Sequence, residues 1–178
     1  MKNITFSIVA LLIFNLLSAQ TFTLKSTDLG GQFMSKNFSN TFGCNGENKS
    51  PQLFWENAPQ GTQSFAVTMY DKDAPTGSGF WHWVVYNIPA GTKMLHVDAG
   101  NISQQNLPKE AINGLNDVGM FGYLGPCPPV GQSHLYLITV YALKTKLTLD
   151  KNASGALVGF MLNANSLEKA SLAIYGQQ

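Results

Sequence analysis

Two carboxylates, a proline and a Trp-His-Trp cluster lie within thirteen residues, Asp71 to Trp83, in the stretch DKDAPTGSGFWHW. An imidazole near an acid is the side-chain pairing that moves protons or holds an anion. A second imidazole and a phenol follow at His134 and Tyr136, behind a Gly- and Pro-rich loop, Gly122 to Gly131 (GYLGPCPPVG). Taken singly, each residue has a plainer role. An Asp in such a turn caps its own backbone, and a His between Trp residues is a structural imidazole. Their coincidence points to a site.

Catalysis is the weaker reading of that site. Asp71, His82, His134 and Tyr136 could supply an acid and a base, as in a hydrolase. No Ser or Cys stands in an activated arrangement, and Cys127 is hemmed by prolines. His96 sits in a long loop with no sequence reason to join the others, so neither a metal site nor a cofactor is expected.

Strand periodicity decides which of these groups can meet, because residues two apart share a face. In SHLYLITVYAL, His134, Tyr136, Ile138 and Val140 share one. In WHWVVYNIP, the same rule puts His82 with Val84 and Tyr86, and Trp81, Trp83 and Val85 on the other side. Strands are expected at Phe22 to Lys25, Leu53 to Trp55, Ser64 to Tyr70, Trp81 to Ile88, His134 to Leu143 and Leu167 to Tyr175. Helix signals are few: a short turn over Pro108 to Ile112, and an amphipathic helix over Ser154 to Leu162 with Leu157, Val158 and Met161 on one face. The connections Ala90 to Gly119 and Gly122 to Gly131 are long, and loops of that kind usually carry function. Gly and Pro make the second a stiff pocket rim.

The N-terminal residues 1–19 read as a signal peptide: Lys2, an apolar run from Ile4 to Leu17, then Ser18-Ala19. The expectation is an exported protein, periplasmic or secreted, with residues 20–178 forming one domain and no transmembrane segment in the mature chain. A formal charge of +1, with eleven Lys and no Arg, argues against a nucleic-acid partner and removes the bidentate phosphate clamp. Cys44 and Cys127 can close a disulfide in an oxidising compartment or remain two small buried thiols.

FGCNGENKSPQLFWENAP, DKDAP with WHWVVYNIP, NGLNDVG, GYLGPCPP and HLYLITVYAL, in this order, resemble the phosphatidylethanolamine-binding protein family in its bacterial Raf-kinase-inhibitor-like branch. The resemblance implies a mainly β fold: a large central antiparallel sheet with a smaller packed sheet and a few short helices. It also implies a small-anion pocket at a sheet end, for phosphate, a carboxylate or a phospholipid head group. By motif match the ligand-binding residues are Asp71, Asp73, Pro75, His82, Gly125, Cys127, Pro128, His134 and Tyr136. The alternative function it implies is inhibition of a protease or kinase by surface contact, and the C-terminal segment is where the family gates its pocket. Lys72 replaces the proline common in the first motif, and Leu135 replaces a residue that is often polar.

Two mechanistic expectations complete the reading. Asp71 orients His82 or accepts a ligand proton, and binding strengthens as pH falls toward 6 because an anion draws both imidazoles toward the charged form. An apolar tail on the ligand would use Phe80, Trp83, Tyr123 or the rim.

Overall fold

The computed structural model describes residues 20–178, so the leader expected at residues 1–19 lies outside them. Its strands are β1 (Thr23–Lys25), β2 (Leu53–Glu56), β3 (Ser64–Asp71), β4 (Phe80–Pro89), β5 (Met94–Leu95), β6 (Ile112–Asn113), β7 (Ser133–Leu143) and β8 (Ser166–Gln177). One helix, α1, spans Gly155–Asn165, and a 3-10 turn covers Ser35–Asn37. A five-stranded antiparallel sheet, β6-β4-β3-β7-β8, faces a three-stranded one, β1-β2-β5. The mainly β, two-sheet architecture is the one expected.

The sandwich follows from β3 and β7, apolar on both faces and therefore covered on both. On one side Phe65, Val67, Met69, Trp83, Val85, Ile138 and Val140 meet Leu24, Leu53, Trp55 and Leu95 of the small sheet and Phe22 just before it. On the other, Ala66, Val84, Tyr86, Tyr141 and Leu143 meet Val158 and Leu162 of α1.

One local expectation is met except at its last residue, and another changes. Pro108 to Ile112 forms a turn closed by the Ala111 N–H on the Pro108 carbonyl, and Ile112 then enters β6. In α1, capped by the Ser154 side chain on the Leu157 N–H, the buried stripe is Gly155, Val158, Gly159 and Leu162, and Leu157 is exposed. Trp81 fills the space over the two glycines: a Cβ on Gly155 would lie 2.6 Å from its ring, and one on Gly159 3.0 Å. Hydropathy ranks Leu157 as core and cannot see that groove.

Candidate functional site

The site is set by an irregularity in β4. β3 and β4 pair Met69 with Trp83, but the next pair is Tyr70 with Trp81, leaving His82 as an extra residue. Such a bulge re-aims the side chains on either side of it. Trp81 joins Val84 and Tyr86 on the α1 side, packed against Tyr70 at 4.8 Å between ring centroids. His82 turns to the opposite face, its ring 5.2 Å from that of Tyr136. The simple alternation that grouped His82 with Val84 and Tyr86, and Trp81 with Trp83, is thus broken by one residue.

The long loops supply the hydrogen bonds the bulge forfeits. Asp117 brackets Trp81: its carboxylate accepts from the Trp81 N–H at 2.8 Å and its own N–H donates to the Trp81 carbonyl at 3.0 Å. Leu124 does the same for His82, donating its N–H to the His82 carbonyl and accepting from the imidazole Nδ1, each at 2.9 Å.

Across the sheet, β3 ends and β7 begins side by side, with Asp71 opposite Tyr136. The Asp71 Oδ2 accepts from His134 Nδ1 at 2.7 Å, and its Oδ1 accepts from the Asp73 N–H at 2.9 Å. Both partners of the Asp71–His134 contact are buried, 2% and 5% exposed. Asp71 therefore orients His134 and not His82, which hangs from the Leu124 carbonyl; the expected pairing of Asp71 with His82 is corrected. Tyr136 lies between the imidazoles, its ring 5.2 Å from His82 and 6.4 Å from His134. Its hydroxyl is buried, sits beside Asp71 without hydrogen-bond geometry to it, and has no partner among the described residues.

Asp71, Pro75, His82, Gly125, Cys127, His134 and Tyr136 line one cavity of about 300 Å³. Asp73 and Pro128 do not. The Asp73 carboxylate ties the loop to β7, accepting from Lys72 Nζ at 2.6 Å and the Leu135 N–H at 2.8 Å, and those two donors hold its carboxyl below the usual range. The Pro128 carbonyl accepts from Gln178 Nε2 at 2.7 Å, and Pro129 takes the place on the wall. The C-terminus is thereby strapped to the rim, outside the cavity lining. Trp83 and Tyr123 are also off the wall: both are core, with Trp83 Nε1 on Asn113 Oδ1 and the Tyr123 hydroxyl on the Asn37 carbonyl, each at 2.9 Å. His96 is exposed and outside the lining.

Residues 37–48 build the rim's back. Gly125 is required there, since a Cβ would come within 2.3 Å of the Asn37 carbonyl oxygen, and its N–H donates to Asn48 Oδ1 at 2.7 Å. Cys44 and Cys127 form a disulfide, with Cα atoms 5.9 Å apart. Phe42, Thr76, Phe80, Val118 and Leu124 also line the cavity. Of these only Phe80 was marked from sequence. Phe42 and Val118 come from turns whose register no periodicity reports.

The electrostatics are those of a pocket without a fixed cation. No Lys is among the lining residues, and Lys72 is spent on Asp73. Burial depresses His82 from 6.5 to about 4, outweighing the carbonyl of Leu124 and the charge of Asp71. By itself, with no anion beside it, His82 is therefore neutral at pH 6. Because a carbonyl only accepts, the proton sits on Nδ1 and Nε2 keeps a lone pair. Burial, followed by the charge of Asp71, raises the Tyr136 phenol well above its ordinary value, so it remains an O–H donor. The cavity offers one acceptor at His82, one donor at Tyr136 and an imidazole at His134 backed by a carboxylate.

A family model described as phosphatidylethanolamine-binding protein matches residues 25–177. The chain is 48% identical to protein YbcL of Escherichia coli over 176 residues, 97% of this chain and 96% of that one, and 44% identical to YbhB of the same organism over 152 residues, 84% and 96%. The crystal structure of YbcL, described as a new member of the mammalian PEBP family, superposes with a TM-score of 0.85 at 48% identity, covering 88% of this chain and 98% of that one. The homologue CT736 of Chlamydia trachomatis gives 0.74 at 25% identity, over 88% and 97%.

Proposed function

We propose that this chain, which belongs to the phosphatidylethanolamine-binding protein family, is an exported, non-catalytic protein that binds a small head group carrying one negative charge and one hydrogen-bond donor. The observation that carries the reading is the buried Tyr136 hydroxyl, without a hydrogen-bond partner among the described residues, at the cavity floor between two imidazoles. An unmade buried hydrogen bond costs about 1–3 kcal/mol, and a ligand oxygen would recover it. The His82 lone pair asks for a donor, which a singly protonated phosphate supplies as P–OH and an ethanolamine phosphate as its ammonium. A dianion fits worse, since Asp71 is buried under the same floor and no lysine offsets it. Export rests on the apolar leader alone.

With a few charge-assisted hydrogen bonds and no Arg, affinity for a bare head group is expected between about micromolar and millimolar, roughly −8 to −4 kcal/mol. Calorimetric titration of the purified protein with phosphoethanolamine and with a methyl phosphomonoester, at pH 5.5 and 7.5, tests this. A phosphomonoester changes from one charge to two near a pKa of about 6, so its binding should be tighter at the lower pH. Binding that strengthens as the dianion accumulates would contradict the reading.

A further inference from the structure

We propose that the outer edge of β8 is an interaction surface for a second copy of this chain. The two β8 strands pair antiparallel about a two-fold axis at Ser171 and join the five-stranded sheets into one. Nothing in this pairing depends on what the cavity binds.

An edge strand presents a row of unpaired N–H and C=O groups, and proteins usually keep such edges short or covered. The other edges here follow that rule: β1 has three residues, and β5 and β6 have two each. β8 has twelve, and among the named strands only β7 pairs with it. Its open stretch has two definite ends. At the C-terminal end the Tyr175 N–H donates to the Gly31 carbonyl at 2.9 Å and its carbonyl accepts from the Phe33 N–H at 3.0 Å, so residues 31–33 cover the edge there. At the N-terminal end Ala142 pairs with Glu168 but Leu143 with Ser166, and the extra residue, Leu167, bends the strand aside. Between these ends, residues 168–174 run in unbroken register along β7.

Tyr175 shows which groups point outward. Alternation along the strand puts the N–H and C=O of Lys169, Ser171 and Ala173 on the same side as those of Tyr175, and among the described residues none of the three has a backbone partner there. The midpoint of the open stretch is Ser171. A two-fold axis through it sets Ser171 against Ser171 of the second copy and Lys169 against Ala173 of the second copy, each pair exchanging both backbone hydrogen bonds. This register uses all three outward residues without reaching Leu167 or Tyr175. Moving the axis to Ala170 spends Ala173 on the bulged Leu167, and moving it to Leu172 sets Lys169 against the covered Tyr175. An axis at Lys169 would oppose two lysines, a repulsive pair. The side chains suit the Ser171 register as well. Lys169, Ser171 and Ala173 are exposed, two of them are small, and the single charge meets an alanine. Among the described residues Lys169 has no ion pair; its Nζ reaches Asn163 Oδ1 at 3.4 Å. Because His134 pairs with Gly176, each cavity lies at the C-terminal end of its β8, and the two open at opposite ends of the joined sheet.

The test is sedimentation equilibrium of the purified protein at low and at physiological salt. The wild type should dimerise weakly, with a Kd of about 10–100 μM, as a small interface does. The two-fold axis repeats every substitution, so a charge at position 173 meets Lys169 of the second copy twice in each dimer. A173E should tighten Kd about threefold to tenfold and A173K should loosen it as much, both effects shrinking as salt is added. K169E/A173K, which restores opposite charges across the seam, should dimerise like A173E. Positions 169 and 173 are exposed, so all three variants should unfold at the wild-type urea midpoint. A protein that stays monomeric up to about 1 mM overturns the proposal, even if an extended peptide pairs with the same edge. So does a dimer whose Kd fails to separate A173E from A173K, since another surface then forms it.

Discussion

His82 and Trp83 are neighbours in sequence, yet both face the small-sheet side of the five-stranded sheet, His82 toward Tyr136 and Trp83 into the core between the sheets. The consequence falls on Trp81, which is displaced to the α1 side and seated on Gly155 and Gly159. One inserted residue thus couples the docking of the helix to the aim of the imidazole.

That coupling is open to test at Gly155. A Cβ there would lie 2.6 Å from the Trp81 ring, whose place is fixed by Asp117, so neither side can give cheaply. G155A should lower unfolding stability by about 1–3 kcal/mol, the range for overpacking, measured as a shift in urea midpoint at constant m-value. Phosphate affinity should fall with it, because moving Trp81 moves His82.

Acid stability should carry the signature of His82. Its folded-state pKa is depressed to about 4 by burial, against 6.5 for the free side chain, so between those values the unfolded chain binds the proton and the folded one does not. The associated stability is complete above pH 6.5 and is lost as pH falls toward 4, by about 3 kcal/mol in all. Urea titrations across that window should show the loss, and H82Q should abolish this component of it.

The disulfide closes a loop of 83 residues in sequence separation. The chain-entropy relation gives about 4.5 kcal/mol for a loop of that size, and removing native disulfides costs about 2–5 kcal/mol. Unfolding in urea with and without a thiol reductant should differ by that amount, and the C44S/C127S double variant should match the reduced protein.

Much of this architecture is legible in the chain. Alternation and β-branching mark β3, β4 and β7 within a residue or two, and the motif set named the family and half of the cavity lining. What escapes is what depends on two segments meeting. Period-two reasoning placed His82 with Val84, because the bulge is enforced from outside the strand by Asp117 and Leu124. The pairing of Asp71 with His134 is settled by the β3–β7 register, which the sequence does not print. Leu157 read as core for want of knowing that Trp81 fills the groove over the two glycines, and Phe42 and Val118 carry no periodicity at all. Asp73 and Pro128 belong to the motifs, but their polar atoms brace the loops.

The most direct measurement on the central claim is a paired one on Y136F, an isosteric change that deletes only the unpartnered hydroxyl. If that group is held in place to receive a ligand, its removal should leave urea stability unchanged or raise it by about 1 kcal/mol, while affinity for phosphoethanolamine falls tenfold or more. A variant that binds as tightly as the wild type would contradict the account.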